Sequence, residues 1–397
     1  MEFMEKLLDG VEVEWKPLSD IASITIGEFV HKNKQDSNAK YPVYNGGISP
    51  TGYYEKYNNT GDKIIVSARG ANAGFVNRIS QPYWAGNSCY SVGAKNSAEI
   101  NWTYIFYFLK NSENKLIGDQ QKGGIPAVSK KQMEVFQIPI PCPDNPKKSL
   151  EIQAEIVRIL DAFTAMTAEL TAELNLRKKQ YNHYRDQLLS FDEDEVEWKA
   201  LGEIGQVRMC KRILKAQTST EGEVPFYKIG TFGKEPDAYI PRKLFEEYKG
   251  KYNFPKIGEI LISASGTIGR TVIFNGEDAY FQDSNIVWIE NDESIVLNKF
   301  LFYFYQIANW GVAEGGTIKR LYSDNLRKLL VPVPYPNDVE RSLKAQARIV
   351  AILDKFDTLT TSITEGLPRE IELRQQQYEY YRDLLLSFPK PSDKQVA

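Results

Sequence analysis

The chain is poor in the residues that most often carry chemistry or covalent staples. Its 397 residues include only three cysteines, two histidines and five methionines. Cys89, Cys142 and Cys210 are odd in number and far apart in sequence, which excludes a disulfide framework and a clustered zinc site. His31 and His183 alone cannot assemble a histidine-based metal centre. No apolar run approaches the roughly 18 to 20 residues that span a bilayer. The stretch Met1 to Glu14 is acidic, with neither a basic start nor a continuous apolar run, so the expectation is a cytoplasmic protein without membrane association. Catalytic signatures are missing as well. There is no Gly-x-x-x-x-Gly-Lys-Ser/Thr phosphate loop, and Gly266-Thr-Ile-Gly269 is a two-glycine turn without that lysine. No Asn/Asp-Pro-Pro-Tyr/Phe tetrapeptide of base-modifying methyltransferases occurs. The expectation is a chain that performs no catalysis and takes no cofactor or metal.

What is present is an ordinary globular composition, 42% apolar and 25% charged, with length for two or three domains. The formal net charge of -3 averages unlike segments. Trp15 to Leu150 carries 16 Lys/Arg against 10 Asp/Glu, a net of +6, whereas Glu151 to Glu197 carries 5 against 11, a net of -6. Trp198 to Glu340 balances at 18 each, and Arg341 to Ala397 has 9 against 8. Basic character therefore gathers in one globular stretch and acid in a helical connector, which is permissive for a polyanion partner.

An internal repeat organises the whole chain. Glu12-Val-Glu-Trp-Lys-Pro-Leu-Ser-Asp-Ile-Ala22 returns as Glu195-Val-Glu-Trp-Lys-Ala-Leu-Gly-Glu-Ile-Gly205, and Gly61-Asp-Lys-Ile-Ile-Val-Ser-Ala68 as Gly258-Glu-Ile-Leu-Ile-Ser-Ala264. Ile138-Pro-Ile-Pro-Cys-Pro143 returns as Val331-Pro-Val-Pro-Tyr-Pro336. Gln153-Ala-Glu-Ile-Val-Arg-Ile-Leu-Asp161 returns as Gln346-Ala-Arg-Ile-Val-Ala-Ile-Leu-Asp354, and the Tyr-Arg-Asp-x-Leu-Leu-Ser-Phe ending at Tyr184 returns at Tyr381. Between these matching frames, Gly27 to Asn59 and Val207 to Phe254 share little. Two copies of one unit with a common frame and unlike inserts suit a reader of two different targets.

Within each copy, Lys63 to Ser67 and Ile260 to Ser263 read as buried strands ended by glycine turns at Gly70, Gly74, Gly266 and Gly269. Trp102 to Leu109 and Phe300 to Ile307 read as apolar helices. The Pro-x-Pro segments cannot be central strands, because alternate residues lack the backbone donor, and so read as edge segments. Ile156, Ile159, Phe163, Met166 and Leu170 recur at alternating spacings of three and four, as do Ile349, Ile352, Phe356, Leu359 and Ile363, which predicts a coiled-coil seam on two long helices. The simplest arrangement pairs those helices antiparallel. Gly366 and Pro368 predict a kink or break in the second. That copy is also four residues longer between Asp354 and Tyr378 than the first is between Asp161 and Tyr181. The first helix instead carries the direct repeat Thr167-Ala-Glu-Leu170, Thr171-Ala-Glu-Leu174.

Taken together, these motifs closely resemble those of the DNA specificity subunits of type I restriction-modification enzymes, over essentially the whole chain. The resemblance implies two target-recognition domains, each reading half of a split, asymmetric DNA sequence, with helices that set the spacing and dock two modification (methyltransferase) subunits. Restriction (translocase-nuclease) subunits join through these, so the chain would be a non-catalytic part of a DNA adenine methyltransferase and ATP-dependent endonuclease complex. The expected fold is mixed α/β with pseudo-two-fold symmetry, its two recognition domains joined and separated by the paired helices. The expected divisions are a segment 1–14, a first recognition domain 15–150, a spacer helix 151–191, an acidic linker 192–197, a second recognition domain 198–340, a second spacer helix 341–388 and a tail 389–397. The rival reading is a structural scaffold whose paired domains bind protein.

Double-stranded DNA is contacted through cationic and amide donors at phosphates, and through Arg, Lys, Asn or Gln at base edges. The candidates are Lys32, Lys34, Arg69, Asn72, Arg78, Lys122, Lys130 and Lys131 in the first copy, and Arg208, Lys211, Arg212, Lys215, Arg270, Lys319 and Arg320 in the second. Gly123-Gly124 and Gly315-Gly316 are expected turns. Tyr181, Tyr184, Tyr378 and Tyr381 join the two helical seams as candidates for helix packing or subunit docking.

Overall fold

The computed structural model describes residues 11–117, 126–192, 196–311, 320–362 and 364–389. The chain divides into two compact units, Met1–Thr171 with Glu370–Ala397, and Ala172–Arg369. Lys122, Lys319, Ile363 and both glycine pairs lie outside the described residues.

The first unit is built on a four-stranded antiparallel sheet in the order Ala22–Ile26, Cys89–Ala94, Lys63–Ser67, Val76–Ile79. Lys63–Ser67 is paired on both sides, which is why Ile64, Ile65 and Val66 form a continuous apolar run rather than an alternation. Ile64 and Val66 join a core with Tyr104, Ile105, Phe108 and Leu109 of the helix Trp102–Lys110, started by the Asn101 side chain accepting from the Thr103 amide. Ile65 joins a smaller core with Tyr44, Tyr83, Ala85 and Cys89 under a three-stranded sheet, Gly52–Tyr54, Tyr41–Tyr44, Trp84–Ala85.

The second unit repeats this plan. Its four-stranded sheet runs Gly205–Arg208, Ile286–Asn291, Ile260–Ser263, Thr271–Ile273, and its three-stranded sheet runs Tyr239–Ile240, Val224–Tyr227, Tyr280–Phe281. Ile260 and Ile262 face the helical core, while Leu261 joins the aromatic core of Phe226, Tyr280, Phe281 and Trp288. In both units one pair of the small sheet is parallel, Tyr44 opposite Ala85 and Tyr227 opposite Phe281. The inserts that share little sequence therefore share a strand plan. The helix Arg242–Lys251 is an addition of the second unit.

The Pro-x-Pro segments are edge strands in two-stranded sheets, Gln137–Pro141 against Val13–Pro17 and Leu330–Pro334 against Val196–Ala200. Each ends on a non-glycine residue of positive φ, Cys142 at 47° and Tyr335 at 51°, where the chain turns into a spacer helix. All four strand-ending glycines, Gly70, Gly74, Gly266 and Gly269, have φ between 67° and 94°.

The first spacer is one helix, Pro146–Leu188. The second is two helices, Val339–Thr361 and Leu367–Leu385. Pro368 does not kink a helix interior; it stands in the first turn of a new helix, where its missing N–H costs nothing. Gly366 permits the join, since a Cβ there would collide with the carbonyl oxygens of Thr358 and Leu359. The extra residues of this copy thus enter a break rather than lengthening the helix.

Candidate nucleic-acid interface

In each unit three loops leave the strands at the same end. In the first, Gly86 N–H donates to Tyr44 O at 2.7 Å and Ala68 N–H to Ser88 O at 2.8 Å, which draws together the loops after Tyr44, Ser67 and Ala85. Gly46, at φ 80°, packs so closely that a Cβ would sit 3.3 Å from Ser88 Cβ and 3.4 Å from Arg69 O. Arg69 is exposed here, bridging to Ala127, and its positive charge partly offsets the upward push of burial on the Tyr90 hydroxyl. Asn72 lies half-buried in the following turn. Lys32 and Lys34 stand exposed on the short helix Lys32–Lys34. Lys131 is exposed, and Lys130 reaches Glu134 at 3.6 Å along the helix Lys130–Val135.

Arg78 points elsewhere. Its guanidinium pairs with Asp161 of the spacer helix at 2.8 Å and lies over the Phe106 and Tyr107 rings, so its charge is used in joining strand to helix.

The second unit gathers three of its sequence candidates in one cleft of about 490 Å³, lined by Arg212, Lys215 and Arg320 together with Lys228, Gln282, Asp283, Ser284 and Asn285. Its loops superpose in logic on those of the first. Gln282 N–H donates to Tyr227 O at 2.9 Å and Ala264 N–H to Asn285 O at 2.7 Å, so Gln282 and Asn285 stand where Gly86 and Ser88 stand in the first unit. Arg320 bridges to Ser265 and donates from Nη2 to Ser284 O at 3.1 Å. Ser284 adopts φ 60°, a conformation that turns its carbonyl toward that arginine at a cost in strain. The remaining candidates do not line the cleft. Arg208 pairs with Glu290 at 2.8 Å, Arg270 donates to Phe232 O at 2.9 Å, and Lys211 lies over the Tyr252 ring. Glu290 is held below the usual carboxylate range by Lys256 and Arg208. Gln282, Asn285 and Lys228 escaped the sequence reading, which favoured cations near glycine turns; the polar run Gln282-Asp-Ser-Asn285 directly after an aromatic strand was the available sign.

The spacer residues dock each unit onto its helix in matching fashion. Gln153 and Gln346 are fully buried. Gln153 accepts from Asn101 N–H at 2.8 Å and donates to Glu99 O; Gln346 accepts from Leu297 N–H at 2.9 Å and donates to Ile295 O. In the first unit Phe163 stacks on Tyr381, ring centroids 5.3 Å apart; in the second Phe356 stacks on Tyr184 at 5.5 Å. Each early phenylalanine thus meets the late tyrosine of the other repeat. Ile156, Ile349 and Tyr181 are buried, Ile159, Leu170, Ile352, Leu359 and Tyr378 are half-buried, and Met166 is 41% exposed. Near Ile156 the buried stripe continues through Ile152 and Leu160 rather than toward Met166.

Among the described residues no cluster of His, Cys, Asp or Glu could hold a metal ion, and no helix is long and apolar enough to cross a membrane.

Residues 10–177 and 193–373 each match the type I restriction modification DNA specificity domain. A protein of Haemophilus influenzae assigned as a type I restriction enzyme specificity subunit is 49% identical, over 97% of this chain and 98% of the relative. The EcoR124I/EcoR124II specificity subunit of Escherichia coli is 38% identical over 98% of each chain. Among solved structures, the type I S subunit of M. genitalium shares the fold, with a TM-score of 0.61 at 17% identity, covering 96% of this chain and 98% of that one. The chain therefore belongs to the family of type I restriction-modification DNA specificity subunits.

Proposed function

We propose that this chain confers sequence specificity on a type I restriction-modification complex in the cytoplasm by letting each unit read one half of a split, asymmetric DNA target. The spacer helices set the distance between the halves and dock two methyltransferase subunits, through which the restriction subunits are recruited. The reading rests on one observation: the frame is built twice from matching residues, whereas the loop tips carry different polar groups. Arg69 and Asn45 occupy the first tip, and Gln282, Asn285 and Arg320 the second. A scaffold with two equivalent protein partners has no need of unlike tips on a repeated frame.

Methylome sequencing of cells expressing the chain with its modification subunit, beside cells lacking the chain, tests this directly. A split methylated motif dependent on the chain is expected. Chain-independent methylation by an assembled, active complex would leave the protein-binding scaffold as the better account.

A further inference from the structure

On the reading of the second unit as a half-site reader, we propose that Gln282 and Asn285 recognise a guanine in that half-site. The loop that carries them is held by its own backbone, Ile286 N–H donating to Gln282 O at 3.0 Å and Asn285 N–H to Asp283 O at 2.7 Å. Gln282 Oε1 accepts the Ile229 N–H at 3.0 Å. A backbone N–H can only donate, so the amide oxygen must face it and the NH₂ must face away. Asn285 Oδ1 accepts the Ser265 hydroxyl at 3.0 Å. Neither amide nitrogen has a partner among the described residues, and both side chains line the cleft. Its one lining acid, Asp283, is taken by Arg212 at 2.8 Å. Lys215 and Arg320 add further donors.

The cleft therefore offers side-chain donors, and its one carboxylate is held in an ion pair with Arg212. In the major groove, guanine presents two neighbouring acceptors, O6 and N7; adenine sets a donor beside its acceptor, cytosine presents a donor, and thymine offers one acceptor, O4, beside a methyl group. A donor of the base facing the cleft would lose its water without gaining an acceptor, and thymine would satisfy one of the two free amide donors and leave the other unpaired, so the pair is matched by the guanine edge. In the first unit the corresponding positions are Gly86 and Ser88, and a Cβ on Gly86 would strike Asn45. The two tips cannot read the same base with the same groups.

The test uses the assembled complex of this chain with its modification subunits. Gln282→Glu and Asn285→Asp keep the anchored oxygen and replace the free donor by an acceptor. Methylome sequencing should show target methylation slowed roughly tenfold or more through one G·C position, with the other half-site and the spacing unchanged. Asn45→Asp, which replaces the exposed amide at the first tip by an acceptor, marks the half-site of the first unit. Unchanged rates in both variants, a change in the half marked by Asn45→Asp, or a wild-type motif whose other half lacks a G·C pair would each overturn the proposal while leaving half-site reading intact. Absence of any chain-dependent motif would instead sink half-site reading itself. Should a variant fail to assemble, wild-type complex decides the matter on duplexes carrying 7-deazaguanine at each guanine in turn. A loss of affinity of about tenfold at one guanine of that half supports the proposal, and no loss at any guanine overturns it.

Discussion

Tyr107 donates its hydroxyl to Asp161 at 2.6 Å, and Tyr303 donates to Asp354 at the same distance in the second unit. Each carboxylate also holds a cation, Arg78 at 2.8 Å on Asp161 and Lys299 at 2.7 Å on Asp354. A helix of each recognition unit is thereby tied to its spacer by a phenol and a cation converging on one acid. Burial and the adjacent carboxylate push both phenols well above the ordinary tyrosine range, so they remain donors under all working conditions.

Asp161→Ala leaves the hydroxyl of the buried Tyr107 without this acceptor and should cost about 1–3 kcal/mol of stability, read by urea denaturation. Arg78→Ala should cost less, about 0.5–1 kcal/mol, because its ion pair is partly exposed. The salt dependence of DNA binding should not change in Arg78→Ala. A shallower slope would make Arg78 a phosphate contact after all.

Arg69 and Arg320 lie on opposite sides of equivalent bridges, Arg69 facing Ala127 and Arg320 facing Ser265. Replacing either with alanine in the assembled complex should weaken target binding. For a phosphate contact, the slope of log K against log salt falls by about one in magnitude. Fluorescence anisotropy across a salt series reads both quantities. Identical curves for wild type and variant would remove that arginine from the interface.

Inserting a third Thr-Ala-Glu-Leu unit after Leu174 adds four residues to the uninterrupted helix Pro146–Leu188. At about 1.5 Å per residue this is roughly 6 Å, near two base steps. The methylated motif should keep both half-sequences and gain spacing. New half-sequences at constant spacing would show that the helix is not the ruler.

Burial holds the Cys89 thiol up at about 11 and the Cys210 thiol at about 12. Both should resist maleimide at pH 8 in the folded chain, while the half-buried Cys142 is labelled; mass spectrometry of the peptides distinguishes them. Because the folded values lie above the ordinary thiol value of 9.0, these groups contribute stability that is fully present below that pH. It is lost as pH rises toward 11 to 12, and denaturation midpoints should fall over that window.

The frame was legible because its residues answer to short rules. Ile64 to Val66 is a continuous apolar run because the strand is central, and Gly70 and Gly266 mark positive φ. The small sheet inside each insert was not legible, since Tyr41–Tyr44 and Val224–Tyr227 are four residues long and each contains a proline. The break at Gly366 and Pro368 was legible, but not that Pro368 would open a second helix, since the same residue breaks a helix interior and starts a helix. At the interface, charge drew attention to Arg208 and Arg270, whose partners Glu290 and Phe232 are distant in sequence. The uncharged Gln282 and Asn285 acquire meaning only once the fold shows which of their atoms are already taken.

Gln153 and Gln346 fasten their units through main-chain groups alone. The first binds the backbone of Asn101 and Glu99, the second that of Leu297 and Ile295. Neither joint inspects the side chains it holds, and those at the two sites already differ completely in kind. Mutation or genetic exchange can therefore vary the residues at this joint while the glutamine keeps its hold, and the side-chain ties of Tyr107 to Asp161 and Tyr303 to Asp354 are the part of the attachment that must be kept.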